Sequence, residues 1–116
     1  MSSSPGGWTD VEASVDRIIG DATHAFDAST IGNARELVGL LKGRYPVPEI
    51  GKGYRNTIRL IWQTTVAGPL EIEVFDDRLE VYHFEPAFGV WYEPHRAGEP
   101  FTPKFMAALP TPIVAD

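Results

Sequence analysis

From Asn56 to Tyr92 apolar and polar residues alternate, with β-branched and aromatic types filling the apolar positions. Ala67-Gly68-Pro69, Asp76-Asp77 and Glu85-Pro86-Ala87 interrupt the alternation with turn residues. A period of two broken this way predicts an antiparallel β-meander. Upstream the period changes. Val11, Val15, Ile18, Ile19, Ala22 and Phe26 recur at helical spacing, with acidic residues mostly on the other side. The spacing predicts an amphipathic helix from Asp10 to Ala25, opened by a capping box between Thr9 and Glu12, with Trp8 stapled against it. A second helix, Ile31 to Lys42, carries Ile31, Ala34, Leu37, Val38 and Leu41 inward. Ser29 or Thr30 is its expected cap, and Lys42-Gly43 its stop. Gly39 inside it lowers helix propensity and suggests a close approach to the sheet.

Arg44 to Arg55 reads as a loop, stiffened by Pro46 and Pro48. Beyond Glu93, five prolines predict an irregular wrap, docked through Phe101, Phe105, Met106 and Leu109 with one helical turn near Lys104–Leu109. The expected fold is α+β: two N-terminal helices on one face of a three- or four-stranded antiparallel meander, then a proline-rich C-terminal tail. Residues 1–8 read as a flexible leader, 9–93 as a single domain and 94–116 as the wrap.

Turn lengths convert the pattern into faces. A two-residue loop at Asp76-Asp77 pairs Val74 with Leu79, Ile72 with Val81 and Leu70 with His83. A three-residue loop at Ala67-Gly68-Pro69 sets Trp62 opposite Val74. Leu60, Trp62, Leu70, Ile72, Val74, Leu79 and Val81 then face the helices. Ile61, Gln63, Glu71, Glu73, Phe75, Arg78, Glu80 and Tyr82 face away, joined by Phe84, Val90 and Tyr92. Glu73 directly opposes Glu80, and like charges so placed destabilise a sheet unless something offsets them. Arg59, Arg78, a tail residue or a partner are the candidates. The tail either covers the aromatic patch Tyr82/Phe84/Tyr92 or leaves it open.

Composition narrows the chemistry. The chain has 116 residues, a formal net charge of -6 and no cysteine. Disulfides, thiolate metal sites and cysteine nucleophiles are excluded. The acidic balance disfavours direct nucleic-acid binding, which relies on Lys and Arg. The N-terminus lacks the basic-then-apolar pattern of a secretory signal, and no apolar run reaches membrane-spanning length. A cytoplasmic protein without a membrane partner is expected.

The candidate chemistries are weak. His83 and Glu85 at alternate positions, with Glu93 and His95 across the last turn, suggest a small-ligand or metal-binding enzyme site near the last hairpin, but no third ligand clusters there. Glu71, Glu73, Asp76, Asp77 and Glu80 lie on a flat face rather than in the pocket that acid–base work requires. Gly51-Lys52-Gly53 lacks phosphate-loop spacing, and no nucleophile elbow occurs. The expected function is therefore non-enzymatic, with no cofactor or metal. It is an acidic protein-binding module, of the inhibitor, antitoxin or immunity type, phage-encoded antagonists included. It would engage a basic protein surface through Glu71, Glu73, Glu80, Tyr82 and Glu85. The chain is expected as a monomer or homodimer, and a homodimeric subunit pairing through Phe88–Tyr92 is the further alternative.

Overall fold

A computed structural model describes residues 7–113. Most of the expected leader, and the last three residues of the expected wrap, lie outside the described residues. Two helices, α1 (Trp8–Asp21) and α2 (Ala28–Leu41), precede five strands: β1 (Glu49–Lys52), β2 (Ile58–Trp62), β3 (Leu70–Val74), β4 (Arg78–His83) and β5 (Gly89–Pro94). A short helix, α3 (Pro103–Ala108), follows. The strands form one antiparallel sheet in the order β1-β2-β3-β4-β5. The fold is α+β, and the meander has five strands rather than three or four. The extra strand, Glu-Ile-Gly-Lys, is too short and too glycine-interrupted to announce itself by alternation.

Register explains why the faces were legible. The β3–β4 hairpin pairs Val74 with Leu79, Ile72 with Val81 and Leu70 with His83, as expected. At the β2–β3 connection Val74 meets Ile58 and Trp62 meets Leu70. The loop is therefore Gln63–Pro69, and the pairing is displaced by four residues from the three-residue-loop expectation. Thr65 nucleates this longer loop. It accepts from the Ala67 N–H at 3.2 Å, and its hydroxyl donates to the Gly68 carbonyl. Gly68 sits at φ 96°, a region that glycine occupies without steric cost. An even displacement leaves every side chain on its original face. Leu60, Trp62, Leu70, Ile72, Val74, Leu79 and Val81 are accordingly all buried, with Ile58, beneath the helices.

The helices supply Val11, Val15, Ala34, Leu37, Val38 and Leu41 to this core. Full burial of such a side chain contributes about 1.5–3 kcal/mol. That far outweighs the exposed ion pairs Arg35–Asp16 and Lys42–Glu12, since such pairs contribute roughly 0.2–1 kcal/mol each. The helix ends differ from expectation. Gly7 is the N-cap of α1, Trp8 is its first residue, and the Thr9–Glu12 box does not form because Glu12 reaches Lys42 instead. The chain leaves α1 after Asp21, and not Ala25, because the following segment runs to bury Phe26. Asn56 satisfies that segment by donating to the carbonyls of His24 (2.7 Å) and Ala25 (3.2 Å). α2 starts three residues early, with Asp27 as its N-cap, while Thr30 is buried inside the helix. Gly39 faces solvent, and a Cβ added there would meet nothing within 4 Å outside its own helix turn, so it marks no approach to the sheet.

The proline-rich tail condenses around α3. Thr102 caps it, accepting from the Phe105 N–H at 3.1 Å, and Pro103 takes the first helical position. Phe105 is fully buried on the helix side of the sheet. The Ile113 N–H returns to the Arg44 carbonyl at 2.7 Å. Among the described residues no helix is long and apolar enough to cross a membrane.

Candidate functional site

With α1, α2 and α3 all contributing to the buried side, the other face of the sheet has no helix over it among the described residues. Across its middle runs the register row Gly51–Arg59–Glu73–Glu80–Tyr92, flanked by Glu49–Ile61–Glu71–Tyr82–Val90. Glu71, Glu73, Glu80 and Tyr82 are therefore neighbours, as the alternation implied. Glu85 is not among them. It lies beyond the end of β4, with its side chain against Gly68.

The opposed carboxylates are offset from within. Glu73 accepts from Thr57 Oγ1 at 2.5 Å and from the Tyr82 hydroxyl at 3.1 Å. The Tyr82 hydroxyl also lies 2.8 Å from Glu80, so one phenolic proton stands between two carboxylates. Burial, the bond to Glu80 and the Glu73 charge all favour the neutral phenol and push its pKa far up. Arg78 Nε donates to Glu80 at 2.9 Å, and Nη1 to Asp77 at 2.9 Å. Its guanidinium lies 4.0 Å from the Phe75 ring centroid. Arg59 Nη2 stands 3.0 Å from Glu71 Oε1, in charge contact but outside hydrogen-bonding alignment.

These contacts set exposure. Glu73 is only 7% exposed, covered by its sheet neighbours and not by a helix. Glu71 and Glu80 keep side-chain exposures of 22% and 18%, and Glu85 is open to solvent. Of the aromatic patch, Tyr82 and Phe84 are half-buried, the Phe84 ring 5.4 Å from that of Phe88, while Tyr92 stands open. Tyr92 is 64% exposed, and Val90 and Phe88 beside it are also exposed. The sequence did not link Thr57 and Gly53 to Glu73, whose pocket they complete. They belong to the β1–β2 hairpin, which alternation did not reveal.

The last hairpin does not gather its histidines. His83 covers Gly89 at one end of β5. His95 lies past the other end, about 20 Å away at strand rise. His95 is 2% exposed, stacks on Phe101 with centroids 4.5 Å apart, and holds Glu36 through Nε2 at 2.9 Å. Burial pushes the Glu36 carboxyl up, but the Gly98 N–H at 2.8 Å and His95 outweigh it and hold its pKa below the usual value. Among the described residues no group of three or more His, Asp or Glu is placed to hold a metal. A recess of about 420 Å³ does open near His83, between the β2–β3 loop and the end of α3, lined by Leu70, Val81, Trp91 and Leu109.

The site is thus an open, internally braced polar face with an aromatic margin on an α+β meander. Set against known protein families, curated proteins and solved structures, the chain matches none.

Proposed function

We propose that the protein is a non-enzymatic binding module whose outer sheet face docks a basic protein surface, in the manner of an inhibitor, antitoxin or immunity protein. The observation that carries this reading is the coincidence of an uncovered sheet face, fixed carboxylates and exposed aromatics on adjacent strands. Rigid aromatics at a contact contribute large apolar area at little entropic cost, and fixed charges steer association. Glu80, Glu71 and the outlying Glu85 would meet the partner's cations. Glu73, being covered, would act by holding Tyr82 and Glu80 in place. The role proposed is stoichiometric antagonism in the cytoplasm, without a cofactor.

The test uses an immobilised panel of small basic proteins, read at low and high salt. At least one should bind the wild-type chain, with an affinity that falls as salt rises. Glu80→Lys with Glu85→Lys should abolish that binding, while Asp21→Lys on α1 leaves it intact. Equal losses from both variants, or none from either, would overturn the assignment to this face.

A further inference from the structure

The two edges of the sheet are unlike. β1 has four residues, with a charge at each end and a glycine within. That is a blunted edge of the kind that discourages pairing. β5 has six residues, and on its outer-face side Val90 and Tyr92 are exposed, with Phe88 exposed just before it. No strand lies beyond it among the described residues.

The direction of its backbone groups follows from two hydrogen bonds. The Phe75 N–H donates to the Arg78 carbonyl at 2.9 Å, which turns Arg78, Glu80 and Tyr82 toward β3. Leu79, Val81 and His83 then turn toward β5, where they oppose Glu93, Trp91 and Gly89. The His95 N–H to the Asp77 carbonyl at 3.1 Å continues the same ladder. Val90, Tyr92 and Pro94 therefore point their backbone groups away from the sheet. Pro94, which has no N–H, falls at an outward position and takes nothing from the β4 ladder.

We propose that a second copy of this chain pairs with this edge, β5 against β5, antiparallel about a two-fold axis at Trp91. The two five-stranded sheets become one of ten strands. Outward-pointing residues must oppose one another for the bonds to form, and this register satisfies that condition. Val90 and Tyr92 of each copy exchange N–H···O=C bonds with Tyr92 and Val90 of the other, and each Phe88 N–H meets a Pro94 carbonyl. Side chains match as well. Val90 lies against Tyr92, Phe88 against Pro94 and Trp91 against Trp91, while Glu93 meets Gly89. No like charges oppose along the strand, and each exposed apolar residue meets an apolar one. The same patch serves both copies, as an isologous interface requires. This pairing uses the exposed Val90 and Tyr92 at the margin of the carboxylate rows but none of the carboxylates themselves.

Sedimentation of the full chain from micromolar to millimolar concentration tests the pairing. A dimer is expected, and Val90→Glu or Tyr92→Lys should reduce it to monomer with unchanged far-UV circular dichroism. The chain has no cysteine, so a single introduced thiol reports only contacts between copies. Trp91→Cys should oxidise to a covalent dimer, because residues at the axis face each other at a non-hydrogen-bonded pair. Val90→Cys should not, since residue 90 opposes residue 92. A monomer throughout the range would overturn the proposal. So would a dimer that survives both charged variants, or crosslinking at 90 in place of 91.

Discussion

A methyl group added at Gly53 would overlap Thr57 Oγ1 and the Glu73 carboxylate, the two groups whose hydrogen bond braces the outer face. The same methyl at Gly39 would meet nothing within 4 Å, on an exposed turn of α2. One substitution should thus have opposite signs. Gly39→Ala should stabilise by up to about 1 kcal/mol, through helix propensity and a less disordered unfolded chain. Gly53→Ala should destabilise by about 1–3 kcal/mol, since Thr57 or Glu73 must give up its position. Urea midpoints of the two variants check both signs. Equal shifts would mean that Glu73 is not packed against Gly53. The sequence shows both glycines plainly, but not their neighbours. Gly53 touches Glu73 only because β1 exists and pairs with β2, and neither fact is local.

Elements differ in how far sequence reached them. Strand faces were readable because alternation survives any even slip, so the four-residue displacement at β2–β3 altered pairing without altering the core. Helix existence was readable from period, whereas helix ends depended on distant groups. Lys42 drew Glu12 away from the expected cap, and Asn56 held the carbonyls past α1. The site was legible to the same extent. Glu71, Glu73, Glu80 and Tyr82 could be placed on one face, but the burial of Glu73 came from Thr57 and Gly53 on a hairpin that was not foreseen. The link between α2 and the segment after β5 was wholly hidden, because Glu36 and His95 are far apart in the chain. It has a pH signature. Glu36 titrates below its ordinary 4.5 in the folded state. Its contribution is therefore present above that value and is lost as pH falls through the depressed folded pKa. His95 is the titratable group facing it. Unfolding midpoints compared between neutral pH and about pH 3 should fall more steeply for the wild-type chain than for Glu36→Gln. Identical slopes would show that the carboxylate gains nothing from Gly98 and His95.

For the molecule as a whole, two contacts are proposed on one sheet, and salt separates them. Docking of a basic partner to the carboxylate face is an attraction between unlike charges, so raising salt should weaken it. Pairing of two copies joins two chains that each carry a net charge of -6. The contact itself is apolar and backbone in character, so charge enters mainly as repulsion. The screening length falls from about 30 Å at 0.01 M salt to about 10 Å at 0.1 M, comparable with the distance between the acidic rows of two joined sheets. Added salt should therefore tighten the dimer while loosening the partner complex. Sedimentation equilibrium in low and moderate salt measures the first, and partner affinity across the same range measures the second. A dimer that loosens with salt would require ion pairs between copies. Within β5 the register about Trp91 contains none, and the nearby cation is Lys104, 4.3 Å from the Trp91 ring centroid, so that result would either bring in Lys104 with Glu93 of the other copy or displace the axis.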